Sequence, residues 1–250
     1  MQERGPSAYI AEFIGTLMLV LFVTLAVSLY VTPASATNPN PYIDFGVIGL
    51  VHVFVLFVLI QGLAIVSGAH FNPAVTAALA FLRQIRPADA GIYVVVQLAG
   101  GVLGALLTKL LLNNFQNADD VNYGAVGISD RLDGSTLLGM LAEGIGTFVL
   151  VFAIIGVAVN PRGLKDWAGF AIGAALGLAV MVLAPLTGAG LNPARAFGPA
   201  LVSGEFGGAD TFLLAYVLAP VIGALVAVMA YVGIYREPGK KEPGGMEPVG

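Results

Sequence analysis

Apolar residues in this chain come in long unbroken runs rather than in alternating or one-sided stripes. Six runs, near 8–31, 45–66, 88–112, 136–159, 168–186 and 211–235, are long enough to cross a hydrocarbon core of about 30 Å as α-helices. Polar or turn-forming connectors separate them at Thr32–Asp44, Asn113–Ser135 and Asn160–Asp166. Two shorter apolar segments are broken by Asn-Pro-Ala. One reads Ser67-Gly-Ala-His-Phe-Asn-Pro-Ala-Val75 and the other Thr187-Gly-Ala-Gly-Leu-Asn-Pro-Ala-Arg195. Proline at the first helical position, directly after a side chain that can cap, is a helix start. The boxes therefore predict half-helices over 72–82 and 192–203. From Pro73 to Leu82 such a helix rises only about 15 Å, so it dips into the bilayer and returns. Non-helical backbone at that depth is tolerated where it lines a wet cavity. The predicted fold class is an all-α membrane protein with six transmembrane helices plus two half-spanning re-entrant helices.

The two halves repeat. Ala11-Glu-Phe-Ile-Gly-Thr16 recurs as Ala142-Glu-Gly-Ile-Gly-Thr147, and each copy precedes an Asn-Pro-Ala box. Three full crossings per half is an odd number, so the second copy enters from the opposite face and the repeat is inverted. The chain divides into an N-terminus at 1–7, a first repeat at 8–113, a connecting loop at 114–135, a second repeat at 136–235 and a disordered tail at 236–250. With the N-terminus cytoplasmic, Arg4, Arg83, Arg86, Arg162, Lys165, Arg236, Lys240 and Lys241 lie inside. Lys109, Arg131 and Arg195 lie outside, which is eight against three of the chain's eleven cations. Both termini are thus expected in the cytoplasm and loop 114–135 outside. Pro33-Ala-Ser-Ala36 imitates a signal-peptidase site, but the preceding run from Ala8 to Val31 is too long for a signal peptide and contains Glu12. It reads as a retained span.

Composition narrows the function classes. With 58% hydrophobic and only 10% charged residues, the chain reads as a multi-pass protein whose first partner is the lipid bilayer. Its 33 glycines suit close helix contacts in lipid. Zero cysteines exclude disulfides, thiolate metal sites and thiol catalysis. A net charge of −4 does not point to a nucleic-acid partner, and no metal ligand cluster, cofactor motif or nucleophile–base pair suggests an enzyme.

A few polar residues stand out against this background. Asn72 and Asn192 would meet near the midplane, each offering an amide N–H beside the positive end of a short helix. Simple N-capping explains one such asparagine well, but an inverted pair poorly. Two donors there would orient a passing water with both hydrogens pointing away, breaking a proton-hopping chain, while the helix ends disfavour cations. Arg195 carries five donors one turn into a dip, where it would bind water and repel cations rather than snorkel to an interface. His52, within Val51-His-Val-Phe-Val-Leu-Phe-Val58, is either a functional side chain or interhelical glue. His70 reads as a pin for the backbone of the first dip. Glu12 and Glu143, related by the repeat, could relay protons or could accept bonds from unwound backbone. Gln97 reads as a similar brace.

Taken together, these motifs resemble the major intrinsic protein family, the aquaporins and aquaglyceroporins, over nearly the whole chain from Ala11 to about Tyr235. The resemblance implies a homotetramer with one pore per subunit, passing water or small neutral solutes, with Glu12, Glu143, His70 and Gln97 supporting the re-entrant loops. Asn192-Pro-Ala-Arg-Ala-Phe-Gly-Pro-Ala200 followed by Gly204-Glu-Phe206 looks like the water-channel branch. Glycerol facilitators carry Asp and Lys where this chain has Ala196 and Ala200. Tyr216 fits the water-channel pattern, and Val217 departs from it. The family's four-residue selectivity filter maps onto His52, Val180, Ala189 and Arg195. That set resembles plant vacuolar-type members, which pass water and often ammonia or urea.

The expected function is a passive, bidirectional water channel with some passage of small neutral solutes, in the cell membrane of a prokaryote. The alternatives are a glycerol or small-solute facilitator and, in a different class, an ion-coupled secondary transporter, since inverted repeats and broken helices occur there too.

Overall fold

The computed structural model describes residues 4–32, 42–113 and 121–235. The expected six spans and two half-spans are present. In chain order they are α1 (Pro6–Tyr30), α2 (Phe45–Ser67), the half-helix α3 (Pro73–Phe81), α4 (Pro87–Leu111), α5 (Thr136–Val159), α6 (Ala168–Thr187), the half-helix α7 (Pro193–Ser203) and α8 (Ala209–Tyr235). Within α5 the segment Ile155–Val159 is π-helical, as is Phe212–Leu218 within α8. An antiparallel pair of two-residue strands, Val31–Thr32 with Tyr42–Ile43, follows α1. The tail placed at 236–250 lies outside the described residues, as does the stretch 114–120 of the connecting loop.

Local chemistry explains where elements start and stop. Asn72 and Asn192 cap α3 and α7 through Oδ1, which accepts from Ala74 N at 2.8 Å and Ala194 N at 3.0 Å, with proline next in line. Both α2 and α6 stop at a glycine in the left-handed region, Gly68 at φ 87° and Gly188 at φ 76°. Helix α1 begins at Pro6, two residues before the apolar run, because proline suits a first turn.

Packing follows the inverted repeat. Helix α1 lies on α4, α2 on α6, and α5 on α8. Each half-helix crosses to the other repeat: α3 packs on α8, and α7 packs on α4. The α4–α7 contact is backbone to backbone, since a methyl placed on Gly101 would stand 2.5 Å from the carbonyl oxygen of Ala194. Outward faces carry bare apolar side chains such as Ile65, Val58, Leu110 and Leu137. Six apolar helices of 20 to 27 residues make this an integral multi-pass membrane protein.

The connector Asn113–Ser135 is more than a link. Its 3₁₀ turns at Asn122–Gly124 and Asp130–Leu132 fold back over the second dip, where Ser129 N donates to Leu186 O at 2.8 Å. Its polar sequence had no periodicity from which to read this.

Candidate functional site

The dips run Gly68–Phe71 and Gly188–Leu191, and their backbones match residue for residue. Ala69 and Phe71 sit at φ 52° and 48°; Ala189 and Leu191 sit at 47° and 51°. A left-handed non-glycine residue costs about 1–2 kcal/mol, so four of them need compensation from their surroundings.

Two buried carboxylates provide it. Glu12 accepts from His70 N at 2.9 Å, Phe71 N at 2.7 Å and Gln97 Nε2 at 2.8 Å. Glu143 accepts from Gly190 N at 2.9 Å, Leu191 N at 2.6 Å and the Thr187 hydroxyl at 2.6 Å. Both side chains have zero exposure and satisfy N–H groups that neither helix nor lipid could. Two tyrosines complete the brace, with Tyr93 OH donating to Ser67 O at 2.7 Å and Tyr216 OH to Thr187 O at 2.9 Å. Sequence reading missed the Tyr93 contact, because a tyrosine in an apolar helix is unremarkable until its partner is known.

The tips of the dips are bonded to each other. Asn72 Nδ2 donates to Leu191 O at 2.9 Å, and Asn192 Nδ2 donates to Phe71 O at 2.9 Å. Each amide has two hydrogens, so one remains for whatever occupies the space beside it. Residues 119 and 121 positions apart in the chain thus hold the two half-helix N-termini together at one level.

That level lies on a narrow cavity bordered by Asn72, Asn192, His52, His70, Gly190 and Arg195. It continues along α2 from His52 through Leu56 to Ile60, about 12 Å of helix axis. Opposite walls come from successive turns of α5 (Leu150, Ile154, Ala158) and α6 (Leu176, Ile172, Ala168). Its free volume of about 80 Å³ suits a short file of waters, not a bulky ligand. Most of the wall is apolar and the polar groups cluster at the dips and at one end, so a molecule passing through meets few binding partners.

At the end near loop 121–135, Arg195 Nη1 donates to Gly124 O at 2.9 Å, while its Nε is buried without a protein acceptor. His52 Nδ1 lies 2.8 Å from Ile48 O and must donate to it, because a carbonyl only accepts. In the neutral ring Nε2 is then an acceptor, so His52 and Arg195 present opposite hydrogen-bonding character.

The remaining sequence-predicted residues fall as follows. His70 uses Nδ1 on Thr76 Oγ1 at 3.1 Å, and its residue also borders the cavity, so it is both brace and wall. Gln97 bridges Glu12 and Thr76, the latter at 3.0 Å. Pro73, Ala74, Pro193 and Ala194 are buried first-turn residues of α3 and α7. Val180 and Ala189, each 1% exposed, pack in the core, and the cavity wall near them is made by Leu176 and Gly190.

Comparison with known proteins agrees with this architecture. The family model described as major intrinsic protein matches residues 4–231. The chain is 40% identical over 224 residues to nodulin-26 of Glycine max, covering 89% of this chain and 75% of that protein. It is 35% identical over 236 residues to aquaporin AqpM of Methanothermobacter thermautotrophicus, covering 89% and 94%. Among solved structures, the aquaglyceroporin from Plasmodium falciparum shares the fold with a TM-score of 0.72 at 23% identity, covering 90% of this chain and 94% of that one. Two bonded half-helix tips on a narrow cavity, in a chain that the family model matches over all six spans up to residue 231, make it a member of the major intrinsic protein family, a family of channels and not of enzymes.

Proposed function

We propose that this protein is a passive, bidirectional water channel that also passes small neutral solutes such as ammonia or urea. The observation that carries the proposal is one cavity bordered by both box asparagines, His52 and Arg195. Water moving along it exchanges bulk partners for Arg195 N–H, the His52 ring and the spare amide hydrogens of Asn72 and Asn192. The converging positive ends of α3 and α7, with Arg195, raise the energy of any cation, and the oriented water between the amides interrupts proton hopping.

His52, Val180, Ala189 and Arg195 form the proposed selectivity filter, similar to that of plant vacuolar-type members. A β-branched valine in place of a ring would leave the opening wider and with one donor fewer. Val180 and Ala189, each 1% exposed, lie respectively one turn along α6 from Leu176 and next to Gly190, the residues that border the cavity there. The proposed assembly is a homotetramer in a prokaryotic cell membrane, with both termini cytoplasmic on the charge count above.

Stopped-flow light scattering of proteoliposomes with water, urea and glycerol in parallel, with and without a proton gradient, tests the reading. Fast, gradient-independent water flux with slower urea flux is expected. Glycerol flux matching that of a known facilitator would reassign the chain to the glycerol branch, and gradient-dependent uptake would refute a channel.

A further inference from the structure

The second dip carries its own arginine three residues after the box asparagine, whereas the equivalent place in the first dip is Val75. The first dip nevertheless has a guanidinium beside it. A methyl placed on Gly68 would lie 3.1 Å from Arg4 Nη2 and 3.4 Å from His70 Nε2, and both Gly68 and His70 border the cavity. Arg4 precedes α1, which places a cation from outside the membrane run against the N-terminal-side mouth.

We propose that Arg4 is the electrostatic counterpart of Arg195 and a determinant of charge selectivity at the opposite end of the pore. Its position is built. Arg4 N donates to Asp89 Oδ2 at 3.2 Å, and Tyr9 OH donates to Asp89 Oδ1 at 2.6 Å while lying 3.2 Å from Arg4 O. Its Nη1 reaches Val66 O at 3.5 Å, and its Nε is buried with no acceptor. The same shape recurs at the other mouth, where loop residues Gly124 and Ser129 bond Arg195 and Leu186. Leu186 and Val66 are equivalent positions, each two before the glycine that ends its helix.

Charge balance gives Arg4 its consequence. Each dip has a buried glutamate behind it, Glu143 for one and Glu12 for the other. Arg195 offsets the first. Removing Arg4 takes one positive charge from the mouth that holds Glu12 and Asp89, which shifts its field toward favouring cations. A unit charge about 6 Å from a passing cation changes its occupancy about threefold at the dielectric of bulk water, and by more than tenfold at an effective value near 20.

This inference rests on the channel reading above, and its test is separable from it. Because the paired asparagines and Arg195 already block cations, the measurement is made in an Arg195→Ala background. Methylammonium leak and water flux are recorded in the same proteoliposomes for Arg195→Ala alone and combined with Arg4→Gln or Arg4→Lys. The ratio of leak to water flux should rise at least about threefold with Arg4→Gln and return with Arg4→Lys. Taking the ratio removes differences in folded yield. An unchanged ratio, or a lysine variant as leaky as the glutamine one, would overturn the inference by leaving Arg4 only a cap on the end of α2. No water flux in the wild-type protein would sink the channel reading, and this inference with it.

Discussion

Adding one methyl group at Gly101 should close this pore without touching it. Gly101 lies on α4 where α7 crosses, and a Cβ there would stand 2.5 Å from Ala194 O and 3.2 Å from Ala194 C, against an ordinary contact of 3.4 Å or more. Neither atom belongs to a flexible side chain, so relief requires α7 to move off α4 by about 1 Å. Ala194 is part of the second box, and Asn192 and Arg195 move with it. The bond from Asn192 Nδ2 to Phe71 O, 2.9 Å long, would stretch beyond hydrogen-bonding range on such a shift. Overpacking costs about 1–3 kcal/mol, and the lost interdip bond adds about 1 kcal/mol. A displacement of that size is a large fraction of a water's width, so water permeability should fall at least about tenfold. Stopped-flow shrinkage and thermal unfolding in detergent measure both effects. Gly62→Ala is the control, because nothing lies within 4 Å of a methyl there. A Gly101→Ala protein with wild-type water flux would refute the claim that this glycine contact sets the level of the second half-helix.

Four further outcomes follow from the same geometry. Glu143→Gln places an amide where Gly190 N, Leu191 N and the Thr187 hydroxyl all donate; each orphaned N–H costs about 1–3 kcal/mol, and a lower unfolding temperature with reduced water flux is expected. Asn72→Ala removes both the cap on α3 and the bond to Leu191 O, and should destabilise by about 1–3 kcal/mol in denaturant titration; an unchanged midpoint would mean the dips stand without cross-bonding. His52→Ala should raise urea flux relative to water, whereas an unaltered ratio would place His52 outside the filter. Mercuric ions should leave permeability unchanged in a chain with no cysteine, so rapid inhibition would contradict a pore lined by the side chains named here.

The patterns readable along the chain were those whose physics is local. An apolar run of about 20 residues meets the thickness of a bilayer wherever it occurs, and Asn-Pro starts a helix through bonds spanning two or three residues. The six spans, the two half-helices and the repeat were therefore legible, and α1 shifted by only two residues. Glu12 and Glu143 were legible only as buried acids that could either relay protons or accept from unwound backbone; their bonds to Phe71 N and Leu191 N appear only in the fold.

Other features depend on groups that meet only when the chain is folded. That Asn72 bonds Leu191 O, that Tyr93 holds Ser67, and that loop 121–129 closes over the second dip involve partners 26 to 121 residues away, and no spacing rule announces them. The same is true of Arg4, which in sequence is one basic residue of a short terminus and in the structure stands beside Gly68 and His70. Burial decides such matters. A polar group taken out of water must find its partner in three dimensions, so the helices were set by the sequence run by run, while the wall of the pore was decided by tertiary packing.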